Sequence, residues 1–283
     1  MRYDELNQLF RDELSTYYPP EEIRAIIRAL AAHYEQLSLI TLHLFADKQI
    51  SDEVLSDYLK ALEMLKKHVP LQYITEEVWF MDLKLHVNSH VLIPRPETEE
   101  LVNLLIEAQP APGGRILDLC TGSGCIALAV AYYCQQTRVW ATDISTEALK
   151  VAKGNAEMNK LQVNFFQADV LKNFPEDLPK FNWILSNPPY IPQDEASGMA
   201  LHVTAFEPHE ALFVGNDDPL LFYKAIRDHA EQLLEPNGGL ILECHEHFAH
   251  QVASLFKQAG FASVEVIADL AGKSRFVKAV KPD

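Results

Sequence analysis

No glycine occurs before Gly113 in this chain of 283 residues, and cysteine is scarce throughout. The four cysteines, Cys120, Cys125, Cys134 and Cys244, form no C-x-x-C pair. That spacing excludes a disulfide framework or a zinc ribbon and predicts buried free thiols in a reducing compartment. No apolar run approaches the roughly 20 residues that cross a bilayer, so no membrane association is expected. The opening Met1-Arg2-Tyr3-Asp4-Glu5 is too polar for a signal peptide, and a cytoplasmic location is the expectation. Basic residues are also in short supply: 24 Lys and Arg against 40 Asp and Glu leave a formal charge of −16. A field of that sign repels polyanions, and only the short Lys66-Lys67-His68 cluster and a sparse basic tail oppose it. Stable nucleic-acid binding is therefore not expected. What remains is an ordinary soluble composition, 48% apolar and 23% charged, long enough for one or two domains.

The glycine-free stretch reads as a small helical bundle over residues 1–72. Pro19-Pro20-Glu21-Glu22 opens a helix whose Ile23, Ile26, Ile27, Leu30, Tyr34 and Leu37 recur at helical spacing. Ser51 caps another, followed by Val54, Leu55, Tyr58, Leu59, Leu62 and Leu65. Residues 73–93 partly alternate, and a turn at Asn88-Ser89 between Val78–Val87 and His90–Ile93 predicts a β-hairpin linking two domains. Pro94-Arg95-Pro96-Glu97-Thr98-Glu99 then starts a helix. From Arg115 onward strands and helices alternate, with strands expected near 116–119, 138–143, 163–166, 183–186, 240–243, 264–267 and 275–280. The fifth follows a Pro236-Asn237-Gly238-Gly239 turn, and the last two can pair antiparallel. Such alternation predicts an α/β, Rossmann-like, mostly parallel seven-stranded sheet over residues 94–283.

The candidate site residues fall at strand ends. Asp118-Leu119-Cys120-Thr121-Gly122-Ser123-Gly124 is strand, glycine-rich turn, then helix, with Ala127 at the third glycine position of a dinucleotide fingerprint. Nicotinamide and flavin binders use a similar turn. Asp143 ends the next strand, where an acid accepts from ribose hydroxyls or merely caps a helix. Asp169 ends the third, where a carboxylate can accept from an adenine amino group with Val170 packed on the ring, or serve only as a loop aspartate. In an open α/β sheet a ligand lies across these carboxyl ends. Asp118 would stand near a cationic or amino portion of such a nucleoside cofactor.

The fourth strand end carries Asn187-Pro188-Pro189-Tyr190. Two prolines fix φ and donate no hydrogen bonds, so the turn offers rigid acceptors beside an amide and an aromatic ring. That is a clamp for a planar –NH2 group, and by itself it does not tell a glutamine from an adenine.

Taken together, the Asp118–Gly124 loop, Asp143 and Asn187-Pro188-Pro189-Tyr190 resemble S-adenosylmethionine-dependent methyltransferases that act on amino groups. With Leu71-Gln72-Tyr73-Ile74, the Pro94–Glu99 segment, Phe206–Leu212 and Asp269–Arg275, essentially the whole chain resembles the release-factor glutamine N5-methyltransferases, the HemK-type enzymes. The resemblance implies S-adenosylmethionine as cofactor and class 1 peptide chain release factors as partners, methylated on the glutamine of their Gly-Gly-Gln loop. It implies cofactor contacts from Asp118, Cys120, Thr121, Gly122, Ser123, Gly124, Asp143, Asp169, Val170 and Asn187. It makes Asn187, Pro188 and Tyr190 catalytic, with Pro189 beside the substrate, and places Arg95 and Glu97 near the active site. The chain departs from the family where Cys120 replaces a loop glycine and where Cys244-His245-Glu246-His247 follows Glu243 in place of an early glycine. The glycine after Gln72-Tyr73-Ile74 is also missing, with Thr75-Glu76 in its region. Cys244, His245, His247 and His250 match no H-E-x-x-H or zinc spacing, so no metal is expected. Three other readings compete: an amino methyltransferase of DNA or RNA bases, a non-catalytic cofactor-binding protein, and a nicotinamide oxidoreductase.

Overall fold

A proline at a helix's first turn and acids behind it set the first unit in motion. In the computed structural model, which describes residues 1–37, 46–172 and 174–283, helices α1 (Tyr3–Leu14), α2 (Pro20–Glu35), α3 (Asp52–Lys66) and α4 (Leu71–Thr75) follow one another. Pro20 occupies the first turn of α2 with Glu21 and Glu22, where the missing N–H costs nothing and negative charge meets the helix dipole. The Ser51 hydroxyl caps α3 by accepting from the Val54 N–H at 3.4 Å. Phe10, Leu14, Leu30 and Leu65 are among the side chains sealed in the core of this unit. The Glu35 carboxylate ties its three long helices together, accepting from the Tyr3 and Tyr58 hydroxyls. The helical expectation over residues 38–45 lies outside the described residues. Met1–Glu76 and Ala200–Phe206 make up this unit, and Glu77–Met199 with Glu207–Asp283 the second.

The second unit opens on a hairpin of β1 (Glu77–Phe80) and β2 (Leu83–His86), paired antiparallel from Glu77↔His86 to Phe80↔Leu83. The expected turn at Asn88-Ser89 is thus misplaced by about six residues, and the hairpin is narrower than residues 73–93. The reversal falls at Met81-Asp82, where Met81 takes φ 51° and its N–H donates to Glu99 Oε1 at 2.8 Å. Asn88 does turn the chain, accepting on its side chain from the His90 N–H, but that turn leads out of the sheet. His90–Ile93 consequently pair with none of the described strands.

Alternation then runs through α5 (Pro96–Glu107), β3 (Arg115–Leu119), α6 (Cys125–Tyr133), β4 (Arg138–Asp143), α7 (Thr146–Met158), β5 (Asn164–Gln167) and β6 (Phe181–Ser186). Short β7 (Ile191–Pro192), α9 (His209–Leu212) and β8 (Phe213–Val214) intervene, with α8 (Leu201–Phe206), which belongs to the first unit, between β7 and α9 in the chain. Last come α10 (Leu221–Leu233), β9 (Leu234–Glu243), α11 (Ala249–Gln258), β10 (Ala262–Ala268) and β11 (Ser274–Val280). The seven-stranded sheet has the order β10-β11-β9-β6-β3-β4-β5, parallel except where β11 runs antiparallel between β9 and β10. This is the sheet the sequence predicts.

Alternating side chains build a core on each face. Ile116, Leu185 and Ile241 join the cluster under α5 and α6, whereas Leu117, Ile184 and Leu242 join that under α10 and α11. A second expectation fails: Pro236–Gly239 is a bulge inside β9, not a turn before it. Asn237 sits at φ 60°, and the β6 pairing slips between Phe181↔Leu234 and Trp183↔Gly239. Gly239 is required there, since a Cβ would run into the Trp183 ring. No helix among the described residues is long and apolar enough to cross a membrane.

Candidate active site

Register brings the candidate residues together. Leu119 pairs with Thr142 on one side and Ser186 on the other, Asp143 pairs with Gln167, and Ser186 pairs with Leu242. Four adjacent parallel strands, β3, β4, β5 and β6, and next to them β9, therefore end at nearly one level. The Ser186 hydroxyl fastens two of them, donating to the Leu119 carbonyl at 2.8 Å. The residues that follow, Cys120, Asp143, Ala168-Asp169, Asn187 and Cys244, emerge side by side.

Above these ends lies a cavity of about 230 Å³ that opens to solvent. Of the candidate residues, Cys120, Gly122, Asp143, Asp169, Val170, Asn187 and Pro189 line it. Asp118, Thr121, Ser123 and Gly124 do not; they build the loop from behind. Asp118 is wholly buried, and its Oδ2 accepts from the Thr121 hydroxyl at 2.5 Å and the Ala127 N–H at 3.2 Å. Its Oδ1 has no partner among the described residues, and neither has the hydroxyl of Ser123 or Thr142. Burial pushes the Asp118 carboxyl up to about 7, against those two hydrogen bonds. Asp143 serves the loop and the turn that follows β4. It faces the cavity, while its oxygens accept from the Gly122 N–H at 2.9 Å and the Ser145 N–H at 3.0 Å. Burial raises its pKa as well. Asp169 is the opposite case: burial is outweighed by Lys172 and the Leu171 N–H, which hold it below the usual range.

The other walls went unnoticed in the sequence. His90, Val91 and Leu92 form one, and Pro208, Glu210 and Ala211 another, with Phe222 nearby. Arg95 clasps these two walls. Its Nη2 donates at 2.6 Å to Glu207 Oε1, and the other oxygen of Glu207 accepts from the Ile93 N–H at 3.2 Å. The Glu207 side chain is fully enclosed while that of Arg95 is 32% exposed, so the tie is half-buried. The helical pattern after Phe206 was the available signal, but its partner lies 112 residues upstream.

At the clamp, Pro188 and Pro189 are buried and Asn187 is half-buried. Asn187 Nδ2 donates to the Thr98 hydroxyl at 3.1 Å. Thr98 donates to Glu243 Oε2 at 2.8 Å, and the Tyr190 hydroxyl donates to Glu243 Oε1 at 3.0 Å. Burial pushes Glu243 up to about 7, opposed by the Thr98 and Tyr190 hydrogen bonds and the Arg275 cation and reinforced by Glu97. Arg275 itself is held by Asp269 at 3.2 Å and the Cys244 carbonyl at 3.3 Å. Burial also raises the Tyr190 phenol well above its ordinary value, with Glu243 as the main neighbouring charge. Neither Thr98 nor Glu243 stood out in the sequence. His245, by contrast, pairs at 3.1 Å with Glu195. All four cysteines are free; Cys125 and Cys244 are buried as expected, whereas Cys120 and Cys134 are only half-buried.

A cavity across strand ends, lined by Asp143 and Asp169 and backed by a glycine loop with orphan polar atoms, suits a polar nucleoside group. A rigid acceptor turn at its end suits an –NH2 to be modified. Comparison with known proteins agrees. Residues 97–213 match the family model "Methyltransferase small domain", and residues 5–75 match "PrmC N-terminal domain". A release factor glutamine methyltransferase of Flavobacterium psychrophilum is 34% identical over 95% of this chain and 95% of its own. Another, of Lactococcus lactis, is 38% identical over 91% and 93%. A methyltransferase of Pyrococcus furiosus shares the fold, with a TM-score of 0.54 and 17% identity over 82% of this chain and all of that one.

Proposed function

The chain belongs to the release factor glutamine methyltransferases, and on that premise we propose that it methylates N5 of the glutamine in the Gly-Gly-Gln loop of class 1 release factors. S-adenosylmethionine is the cofactor this reading requires; when bound, it supplies a methyl group activated on a sulfonium. Asp143 takes its ribose and Asp169 with Val170 its adenine, while Gly122 and Cys120 let it approach the loop. Asp118, with one oxygen unengaged among the described residues, would act on a positive end of the group from behind the loop. The reaction takes place in the cytoplasm, and residues 1–72 position the release factor.

The observation that carries this reading is the state of Asn187. Its nitrogen is engaged by Thr98, which leaves Oδ1 to serve as the acceptor. A carboxamide nitrogen is a poor nucleophile because its lone pair is delocalised into the carbonyl. Asn187 Oδ1 and the Pro188 carbonyl each accept one N–H of the substrate amide, turning its nitrogen toward the incoming methyl. Positioning of this kind supplies up to roughly 7–11 kcal/mol in well-oriented models. As the N–C bond formed and the methyl–sulfonium bond broke to leave a neutral thioether, the two acceptor dipoles would also favour the positive charge growing on nitrogen. Once cationic, that nitrogen is acidic, and its second proton leaves to solvent without a dedicated base. Tyr190, anchored through its hydroxyl, fixes the aromatic wall beside the target and limits water.

The test is mass spectrometry of a class 1 release factor incubated with the protein and S-adenosylmethionine. The Gly-Gly-Gln peptide gains one methyl group. Asn187→Ala retains cofactor binding and loses on the order of 10²-fold or more in kcat, the scale for removing one preorganised polar contact. An unmodified peptide would overturn the reading, and wild-type turnover in the variant would remove Asn187 from it.

A further inference from the structure

Resting on the reading of Asn187 as an acceptor for the substrate amide, we propose that Thr98 and Glu243 are positioning residues that dictate which end of the Asn187 amide faces the substrate. The two ends of an asparagine amide are nearly equal in shape, so packing alone does not choose between them. A half-turn would present –NH2 to the substrate's own –NH2. Two donors would then meet, and the clamp would no longer hold its target.

The choice is made by a one-way chain of hydrogen bonds. An ionised carboxylate only accepts, so the chain runs one way at pH values where Glu243 is ionised. Glu243 Oε2 lies 2.8 Å from Thr98 Oγ1, and Oε1 lies 3.0 Å from the Tyr190 hydroxyl. Thr98 has a single proton, which goes to Glu243. Its lone pairs are all that remain for Asn187, at 3.1 Å. They accept from Nδ2 and repel Oδ1, so Oδ1 is left facing the cavity. Thr98 and Glu243 are both buried, 2% and 1% exposed, so water does not substitute for either partner. Tyr190 closes the other oxygen of Glu243 and so keeps the carboxylate from turning. Thr98 is the third residue of α5, set in place by the Pro94-Arg95-Pro96 entry to that helix. The Pro94–Glu99 segment thereby delivers a hydroxyl to the back of the clamp.

The experiment compares Thr98→Val, Thr98→Ser, Glu243→Gln and Asn187→Ala in the full chain, with an intact release factor as substrate and calorimetric cofactor binding in parallel. Thr98→Val keeps shape but offers no lone pair; kcat falls about 10- to 100-fold, the scale of one unmet buried polar contact. Its Kd for S-adenosylmethionine stays within about twofold of wild type, because the substitution touches only the clamp. Thr98→Ser restores most of kcat. Glu243→Gln can donate to Thr98, frees the hydroxyl proton to reach Asn187 Oδ1, and lowers kcat with cofactor Kd unchanged. Wild-type kcat in Thr98→Val, or equal losses in Thr98→Val and Thr98→Ser, overturns the proposal. If Thr98→Val does not fold, Thr98→Ala decides on the same criteria. An inactive Asn187→Ala beside a fully active Thr98→Val refutes the positioning role alone. An active Asn187→Ala refutes the reading on which it rests.

Discussion

Two buried carboxylates stand at the ends of β3 and β9, and they differ in one oxygen. Asp118 and Glu243 each lie two residues beyond Ile116 and Ile241, on the face of the sheet covered by α5 and α6. Each accepts from a threonine hydroxyl, and each meets the third residue of a helix, Ala127 of α6 or Thr98 of α5. Burial pushes both carboxyls up to about 7. Glu243 has both oxygens engaged by the protein, whereas Asp118 leaves Oδ1 with no partner among the described residues. An unpaired buried acceptor is costly, and folded proteins keep few of them. The clamp side is thus complete before substrate arrives, as a preorganised site should be. The loop side is left incomplete, and a positively charged ligand would complete it.

The largest expected effect separates the two kinetically. Asp118→Asn weakens S-adenosylmethionine binding by about 10- to 100-fold, the scale for a hydrogen bond to a charged group, and raises KM for it accordingly. Glu243→Gln leaves that Kd in place and lowers kcat. Titration calorimetry and steady-state kinetics on both variants check this. If the two substitutions changed the same parameter, the division of labour between loop and clamp would be broken.

A smaller effect concerns pH. Both folded pKa values lie above the ordinary ones, so the folded state holds more protons than the unfolded chain between about pH 4 and 7. Their contribution to stability is complete below the unfolded values and is lost as pH rises through about 7. The shifts amount to on the order of 3–4 kcal/mol per group at most. Replacing either acid by its neutral amide removes that loss. The Tm of Glu243→Gln relative to wild type therefore climbs between about pH 5 and pH 8, by several degrees, and Asp118→Asn behaves alike without ligand. S-adenosylmethionine sharpens the contrast. Its positive charge stabilises ionised Asp118, so the pH-dependent gap narrows for Asp118→Asn and persists for Glu243→Gln. Differential scanning calorimetry at the two pH values, with and without cofactor, reads all four cases.

The same contrast explains what the sequence could disclose. The glycine loop, Asp143, Asp169 and the Asn187–Tyr190 turn are local patterns at strand ends, and parallel register does the rest by bringing those ends level. Ser51 and Ser145 announce their helices because a cap is a three-residue event. Thr98 and Glu243, in contrast, are 145 residues apart, and Arg95 and Glu207 are 112 apart. No spacing rule connects such pairs. The two misread turns have a common cause. Asn88-Ser89 and Pro236–Gly239 carry turn chemistry, but whether a turn reverses a strand, leaves the sheet or becomes a bulge depends on the neighbouring strand. Asp118 does not line the cavity because the residue parity of β3 points it under α6, and it would act on a ligand from behind the loop.

The smallest effect tests how strained the loop side is. None of Asn187–Tyr190 has positive φ, whereas Cys120, at the equivalent end of β3, sits at φ 59°. For a residue with a side chain, the left-handed region costs roughly 1–2 kcal/mol. Glycine would relieve that cost but give back about 0.4–1 kcal/mol through its freer unfolded chain. The burial of the thiol offsets part of the remainder, since Cys120 packs against the core cluster of Leu117, Leu119 and Val170. Cys120→Gly is therefore expected to stabilise the ligand-free protein by about 0.5 kcal/mol, a Tm rise of roughly 1–2 °C in thermal unfolding. A fall in Tm would mean that the thiol's packing outweighs the backbone strain. Leu119-Cys120 would then be as settled as Ser186-Asn187, and the incompleteness of the loop side would reduce to the single oxygen of Asp118.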